Sequence, residues 1–121
     1  MLPISPRLKF YLYTPPTDMR KSFDGLHGLV SNHLRLNPLS GDVYLFLNKR
    51  RNRLKLLFWD GDGFWIFYKR LEEGTFQQPL QKRCDGSIEL YYEELVMLLK
   101  GIDLGSVKRR KRYSRRHLEK V

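Results

Sequence analysis

Two carboxylates one glycine apart, Asp60-Gly61-Asp62-Gly63, stand between the aromatic runs of FWDGDGFWIFYKRLEEGTF at residues 58–76. Paired carboxylates can hold a divalent metal for phosphoryl chemistry, yet Asp-Gly between apolar runs is also the strongest short-range hairpin signal. Spacing decides between them. A calcium loop starting at Asp60 needs an oxygen ligand at its fifth position and a glutamate at its twelfth, where the chain has Phe64 and Leu71. A two-metal nuclease needs several converging carboxylates, and Asp42, Asp60 and Asp62 would share one end of a sheet with no general base nearby. The Asp-Gly steps are read as turn residues that tolerate positive φ, and a metal-dependent nuclease ranks third among the functional readings. His27, His33 and His117 lack the spacing of a zinc set. Cys84, beside Lys82 and Arg83, has no histidine partner to make it a nucleophile. A lone cysteine also excludes an intrachain disulfide and points to a reducing, cytoplasmic setting. No catalytic residue, metal, cofactor or small-molecule substrate is assigned.

The elements that must position these residues follow from periodicity. At 121 residues the chain is one domain's worth. Residues 8–14 are strand-like and end at Pro15-Pro16, which cannot continue a ladder. Met19, Phe23, Leu26, Val30 and Leu34 recur at helical spacing, which predicts a helix over 18–36, capped by Thr17 or Asp18 and closed by Asn37-Pro38. Gly25 and Gly28 inside it suggest close approach to another backbone. Strands are predicted at 43–48, 53–59 and 64–70, then short ones near 75–78 and 87–90, and a last helix over 91–100 with Gly101 as its stop.

The turns set the register. With DGDG as the second turn, Trp59 faces Phe64, Lys55 faces Tyr68 and Arg53 faces Arg70; the first turn sets Asn48 against Arg53 and Phe46 against Lys55. One sheet face then carries Val43, Leu45, Leu47, Leu54, Leu56, Phe58, Trp65 and Phe67, with Lys69 at its edge, and must be covered by helix. The other carries Tyr44, Phe46, Leu57, Trp59, Phe64, Ile66 and Tyr68, with Arg53, Lys55 and Arg70 at one end. The N-terminal strand and C-terminal segment could cover this aromatic face, or it could be a partner surface.

Charge is distributed unevenly. Residues 1–105 carry 15 basic and 12 acidic side chains, whereas residues 106–121 carry eight basic ones and only Glu119. The net charge of +10 therefore divides as +3 and +7. The tail, with Lys108, Arg109, Arg110, Lys111, Arg112, Arg115 and Arg116, lacks apolar periodicity and reads as a solvated arm for a polyanion, with nucleic acid favoured over membrane. No segment reaches the roughly 18 apolar residues of a transmembrane helix. A second concentration lies at the first hairpin, where Asn48-Lys49-Arg50-Arg51-Asn52-Arg53 puts four cations on a turn with two amide side chains able to add contacts to a ligand. The register adds Lys55, Tyr68, Lys69 and Arg70, making this end of the sheet a candidate for phosphate contacts.

The segments TDMRKSFDGL (17–26), NPLSGDVYLF (37–46), NRLKLLFWDGDGFWIFYKRLEEGTF (52–76) and LLKGID (98–103) closely resemble the TnpB accessory protein of IS-sixty-six-type bacterial insertion sequences. That family is distinct from the RNA-guided nuclease sharing the TnpB name. The resemblance spans about residues 3–104 and implies a role supporting transposition beside a larger transposase that carries the strand-transfer chemistry. Two positions depart from it: Gln78 stands where tryptophan commonly precedes the proline, and Tyr91 where serine or threonine commonly opens the last helix.

The expected architecture is an α+β domain over 1–105, mainly an antiparallel sheet with an N-terminal and a C-terminal helix, followed by a basic tail over 106–121. The expected function is non-catalytic: binding DNA through Lys49, Arg50, Arg51, Arg53, Lys55, Lys69, Arg70 and the tail, and helping assemble the transposase. The alternative is a protein-interaction module that binds the transposase through Tyr44, Phe46, Trp59, Phe64 and Tyr68.

Overall fold

Pro15-Pro16 ends a short first strand, β1 (Phe10–Tyr13), in the computed structural model, which describes residues 5–77 and 86–101. Cys84, His117 and the tail cations Lys108 to Arg116 lie outside the described residues. β1 pairs in parallel with β2 (Val43–Leu47), aligning Phe10 with Val43 and Tyr13 with Phe46. A parallel pair needs a long crossover rather than a hairpin. Residues 14–42 provide it, through α1 (Phe23–Gly28) and a π-helical turn, Leu29–His33. β3 (Arg53–Trp59) and β4 (Phe64–Arg70) then continue from β2 as an antiparallel meander, and β5 (Ser87–Leu90) runs antiparallel to β1 at the other edge. The order is β4-β3-β2-β1-β5, mostly antiparallel as expected, with one parallel step.

The register expected from the two turns is the one found: Trp59 opposite Phe64, Lys55 opposite Tyr68, Arg53 opposite Arg70 and Phe46 opposite Lys55. Both sheet faces are covered. Leu95 and Leu98 of α2 (Tyr92–Lys100) pack with Val43, Leu45, Leu47, Leu54 and Leu56 on one side, joined by Leu71 and Phe76. Leu26, Leu29, Val30 and Leu34 cover Tyr44, Phe46 and Leu57 on the other.

This second layer corrects the partner-face assignment. Tyr44 and Phe46 are 1% and 0% exposed. The β1–β2 crossover carries the N-terminal helix over the aromatic face, so a partner could reach them only by displacing it. Conversely Trp65, placed with the core, is half exposed because it lies on edge strand β4.

The N-terminal helix is shorter than the expected 18–36. Thr17 donates its backbone N–H to Leu47 O at 2.8 Å, and Asp18 Oδ1 accepts the Arg20 N–H at 2.9 Å, which commits residues 17–21 to a turn beside the sheet. Ser22 is the N-cap, in place of Thr17 or Asp18. Among the described residues the nearest neighbours of Gly25 and Gly28 are side chains of their own segment rather than another backbone: a Cβ at Gly25 would lie 3.1 Å from the Lys21 side chain, and one at Gly28 would meet Asn32 Nδ2 at 3.8 Å. Residues 75–77 form no strand. At α2, Tyr91 N–H donates to Glu94 Oε1 at 2.9 Å and Gly101, at φ 80°, closes the helix as expected. Among the described residues no helix is long and apolar enough to cross a membrane.

Candidate nucleic-acid interface

The turn joining β2 to β3 is braced before it meets any ligand. Asn48 Oδ1 accepts the Asn52 and Arg53 N–H groups, both at 3.0 Å, and Asn48 Nδ2 donates to Asn52 Oδ1 at 2.7 Å. The returning 71–76 segment adds a second brace, with Leu71 N–H on Asn52 O at 2.7 Å and Phe76 N–H on Arg51 O at 2.6 Å. Arg51 adopts φ 56°, a left-handed conformation uncommon outside glycine. The asparagine amides expected to contact a ligand are therefore largely occupied in holding the turn. What the turn presents is Lys49, Arg50 and Arg51, all exposed.

The other assigned cations divide. Arg53 is half-buried and donates Nη1–H to Tyr68 Oη at 3.1 Å. Lys55 is not a surface cation: it is 7% exposed, its Nζ donates to Met19 O at 2.7 Å and Lys21 O at 2.8 Å, and it lies 4.7 Å from the centre of the Tyr68 ring. Burial under the 17–21 turn removes it from any DNA contact. Arg70 is exposed but pairs with Glu72 at 2.9 Å, which compensates part of its charge. Lys69 sits on the α2 side of β4, beside Phe67, Leu99 and Lys100, and so faces away from Arg53 and Tyr68.

Lys55 also reveals a group that sequence reasoning missed. By holding the 19–21 backbone against the sheet it brings exposed Lys21 to the basic end. The expected helix start at 18 concealed this, because it placed Lys21 on a helix surface. Arg20 adds less, since it is bonded to Asp18 at 2.7 Å.

DGDG occupies the opposite end of the β3–β4 hairpin and is a turn. Asp60 Oδ1 accepts the Asp62 and Gly63 N–H groups at 3.2 and 3.1 Å, and Oδ2 accepts the Trp65 indole N–H. Gly61 takes φ 115°, which an L-residue rarely adopts. Among the described residues no three histidine, cysteine or acidic side chains lie close enough together to share a metal.

The Trp65 indole, then the turn N–H groups, hold the Asp60 carboxyl at about 2, while hydrogen bonding to and repulsion from Asp60 push Asp62 above its ordinary value. Asp60 is lowered, so its contribution is present above about 3.8 and lost as pH falls through about 2; Asp62 is raised, so its contribution has the opposite sign. Carboxyl-carbon NMR titration should resolve two midpoints on opposite sides of 3.8, and Trp65→Phe should move the Asp60 midpoint up toward that value. An Asp60 midpoint unmoved by Trp65→Phe would contradict the indole as the main cause.

The comparisons with known proteins agree with the resemblance. A family model described as IS66 Orf2 like protein matches residues 8–109. The match extends past the expected limit near 104 and includes Lys108 and Arg109, the first two cations of the tail. Two proteins of Sinorhizobium fredii (strain NBRC 101917 / NGR234) are similar over 103 residues. Uncharacterized protein y4jC is 38% identical, covering 85% of this chain and 86% of its own. Uncharacterized protein y4hO is 37% identical, covering 85% and 88%. No solved structure matches the chain significantly.

Proposed function

The chain belongs to the family of IS66 Orf2-like proteins, which are associated with bacterial insertion sequences, and on that premise we propose that it is a non-catalytic accessory factor of transposition that contacts DNA. The observation that carries this reading is the braced 48–53 turn, which holds Lys49, Arg50 and Arg51 outward from a fixed backbone. Ordering a flexible basic loop would cost conformational entropy on binding; here folding has already supplied that order. Arg53 lies beside the cluster, and the tail from 108 to 116 adds a counterion-releasing arm. The factor would thereby help the larger transposase assemble on the ends of the element.

Fluorescence anisotropy of the full chain, with element-end and scrambled duplexes across a salt series, tests this. A second full-length variant replaces the tail cations 108–116 with glutamine. Retained preference for element ends in that variant supports DNA reading by the folded part. Loss of all binding with the tail charges would refute a contact by the hairpin.

A second reading is favoured by the exposed edge strand: Trp65 and Tyr68 are 51% and 50% exposed on β4. An edge strand with one exposed aromatic on each face suits protein contact. Of the residues assigned to that role, Trp59 and Phe64 are half-buried against one another, with ring centres 5.0 Å apart, leaving Tyr68 as the most accessible. Capture of the element's transposase should fall in Trp65→Ser if β4 is the docking edge, with duplex affinity unchanged.

A further inference from the structure

β4 closes one edge of the sheet, so half of its backbone N–H and C=O groups have no strand beside them among the described residues. Two bonds fix which half: Asp60 N–H to Gly63 O, and Leu71 N–H to Asn52 O. Bonded pairs alternate along an antiparallel ladder. Trp65, Phe67 and Lys69 therefore bond across to β3, while Phe64, Ile66, Tyr68 and Arg70 turn their backbone groups outward. The strand has no proline and no bulge. Charge, the other common protection of an edge, is confined to its ends, with Lys69 and Arg70 at one and Asp62 just before the other. Between them Phe64-Trp65-Ile66-Phe67-Tyr68 reads as two aromatics, isoleucine and two aromatics in either direction.

We infer that the β4 edge is the interface for a second copy of this chain, paired antiparallel with itself about a two-fold axis at Ile66. The inference goes beyond the DNA-contact reading and does not depend on it. Self-pairing about Ile66 sets Phe64 opposite Tyr68, Trp65 opposite Phe67, Gly63 opposite Lys69 and Asp62 opposite Arg70, and symmetry makes each of these contacts twice. The outward groups of Phe64, Ile66 and Tyr68 then form the bonded pairs, so backbone and charge call for the same alignment. Other alignments lose the match. An axis at Phe67 faces Asp62 with Glu72, and a parallel pairing in register sets Lys69 and Arg70 beside their own copies; like charges directly opposite destabilise a sheet. Trp65 and Tyr68, half exposed on opposite faces of the strand, each gain an aromatic partner. Trp65 of the second copy, opposite Phe67, also stands beside the apolar groove that Phe67 lines with Leu54, Leu56 and Leu99. Arg70 already bonds Glu72, but its guanidinium keeps further donors for Asp62 of the second copy. Because the 48–53 turn lies at the Arg70 end of β4, the joined sheet carries its two basic turns at opposite ends.

Sedimentation equilibrium of the full-length protein, freed of nucleic acid, tests this, with hydrogen exchange as a second readout. The parent should pass from the chain mass to twice that mass as concentration rises. Amides of Phe64, Ile66 and Tyr68 should gain protection over the same range, whereas those of Trp65, Phe67 and Lys69, bonded within the chain, should not change. Asp62→Lys and Arg70→Asp, both at exposed positions, each turn two attractive contacts into two repulsive ones and should weaken dimerisation by about ten- to a hundredfold. Mixed in equal amounts, the two variants should associate with each other, because each supplies the charge that the other's reversal requires. Mixing cannot repair a misfolded chain, so recovery reports the interface itself. A parent that stays monomeric up to its solubility limit overturns the inference and leaves the β4 edge to a different protein. Dimerisation without concentration-dependent protection at Ile66, or without recovery in the mixture, overturns the pairing through β4.

Discussion

Replacing Lys49 and Arg50 with glutamine and Arg51 with glycine in the full chain is expected to lower the slope of log affinity against log salt by about 2.7, three phosphate contacts at roughly 0.9 each. Affinity at moderate salt should fall with it, by about one to two orders of magnitude. Glycine is chosen at 51 because the backbone there has φ 56°, so removing the charge also relieves a conformation unfavourable to side chains. The fold should survive, since the turn is held by Asn48 and by backbone bonds from Leu71 and Phe76 that none of the three side chains makes. Arg70→Gln is the internal control. Its charge is already shared with Glu72, so its effect on the slope should be well below that of a free cation. A triple variant that folds and keeps the parent slope would remove the turn from the interface and leave the tail as the source of DNA affinity.

What could be read in the sequence was mostly local. Asp60-Gly61 and the Asn48–Arg53 turn set strand register because a two-residue period allows no intermediate alignment, and every pair expected across β3 and β4 is found. Gly101 as a helix stop is likewise a one-residue statement about backbone conformation. The errors arose where distant segments meet. Nothing in the pattern of β2 and β3 says which face the chain crosses between β1 and β2, so the sequence leaves Tyr44 and Phe46 either under the terminal segments or free for a partner, whereas the crossover helix covers them. Of the apolar stripe from Met19 to Leu34, Leu26, Val30 and Leu34 join one cluster, whereas Phe23 is exposed and Met19 reaches the cluster from a turn rather than from a helix. Periodicity counts which residues are buried, not which backbone buries them. Thr17 is a similar case: capping chemistry explains a threonine before a helix, whereas the fold spends its backbone N–H on Leu47 O and buries its hydroxyl, without a hydrogen-bond partner among the described residues.

Lys55→Met is expected to destabilise the fold by about 3 kcal/mol, the loss of two hydrogen bonds from a charged donor offset in part by retained packing of the stem. Lysine in the middle of a strand reads as an outward, solvated residue, and its neighbours on β3 give no reason to think otherwise. Yet its Nζ reaches across to Met19 O and Lys21 O and lies near the Tyr68 ring, joining the crossover segment to β3 and β4 at one point. Methionine fills the same space without opening a cavity, so the loss should report the polar clamp itself; a urea midpoint shift with an unchanged m-value would show this. Hydrogen exchange should locate the damage in residues 17–22 before the sheet ladder, because that segment has few other ties to the sheet. A loss below about 1 kcal/mol would mean the two carbonyls find water once Nζ is gone. The clamp also bears on function, since residues 17–19 form one wall of a cleft beside the basic turn. Lys55→Met, still folded, should therefore weaken duplex binding while leaving the salt slope unchanged: Lys55 is buried, but it holds in place the segment packed beside the basic turn. A fall in slope would instead place its charge in direct contact with DNA and require the 17–21 turn to open on binding.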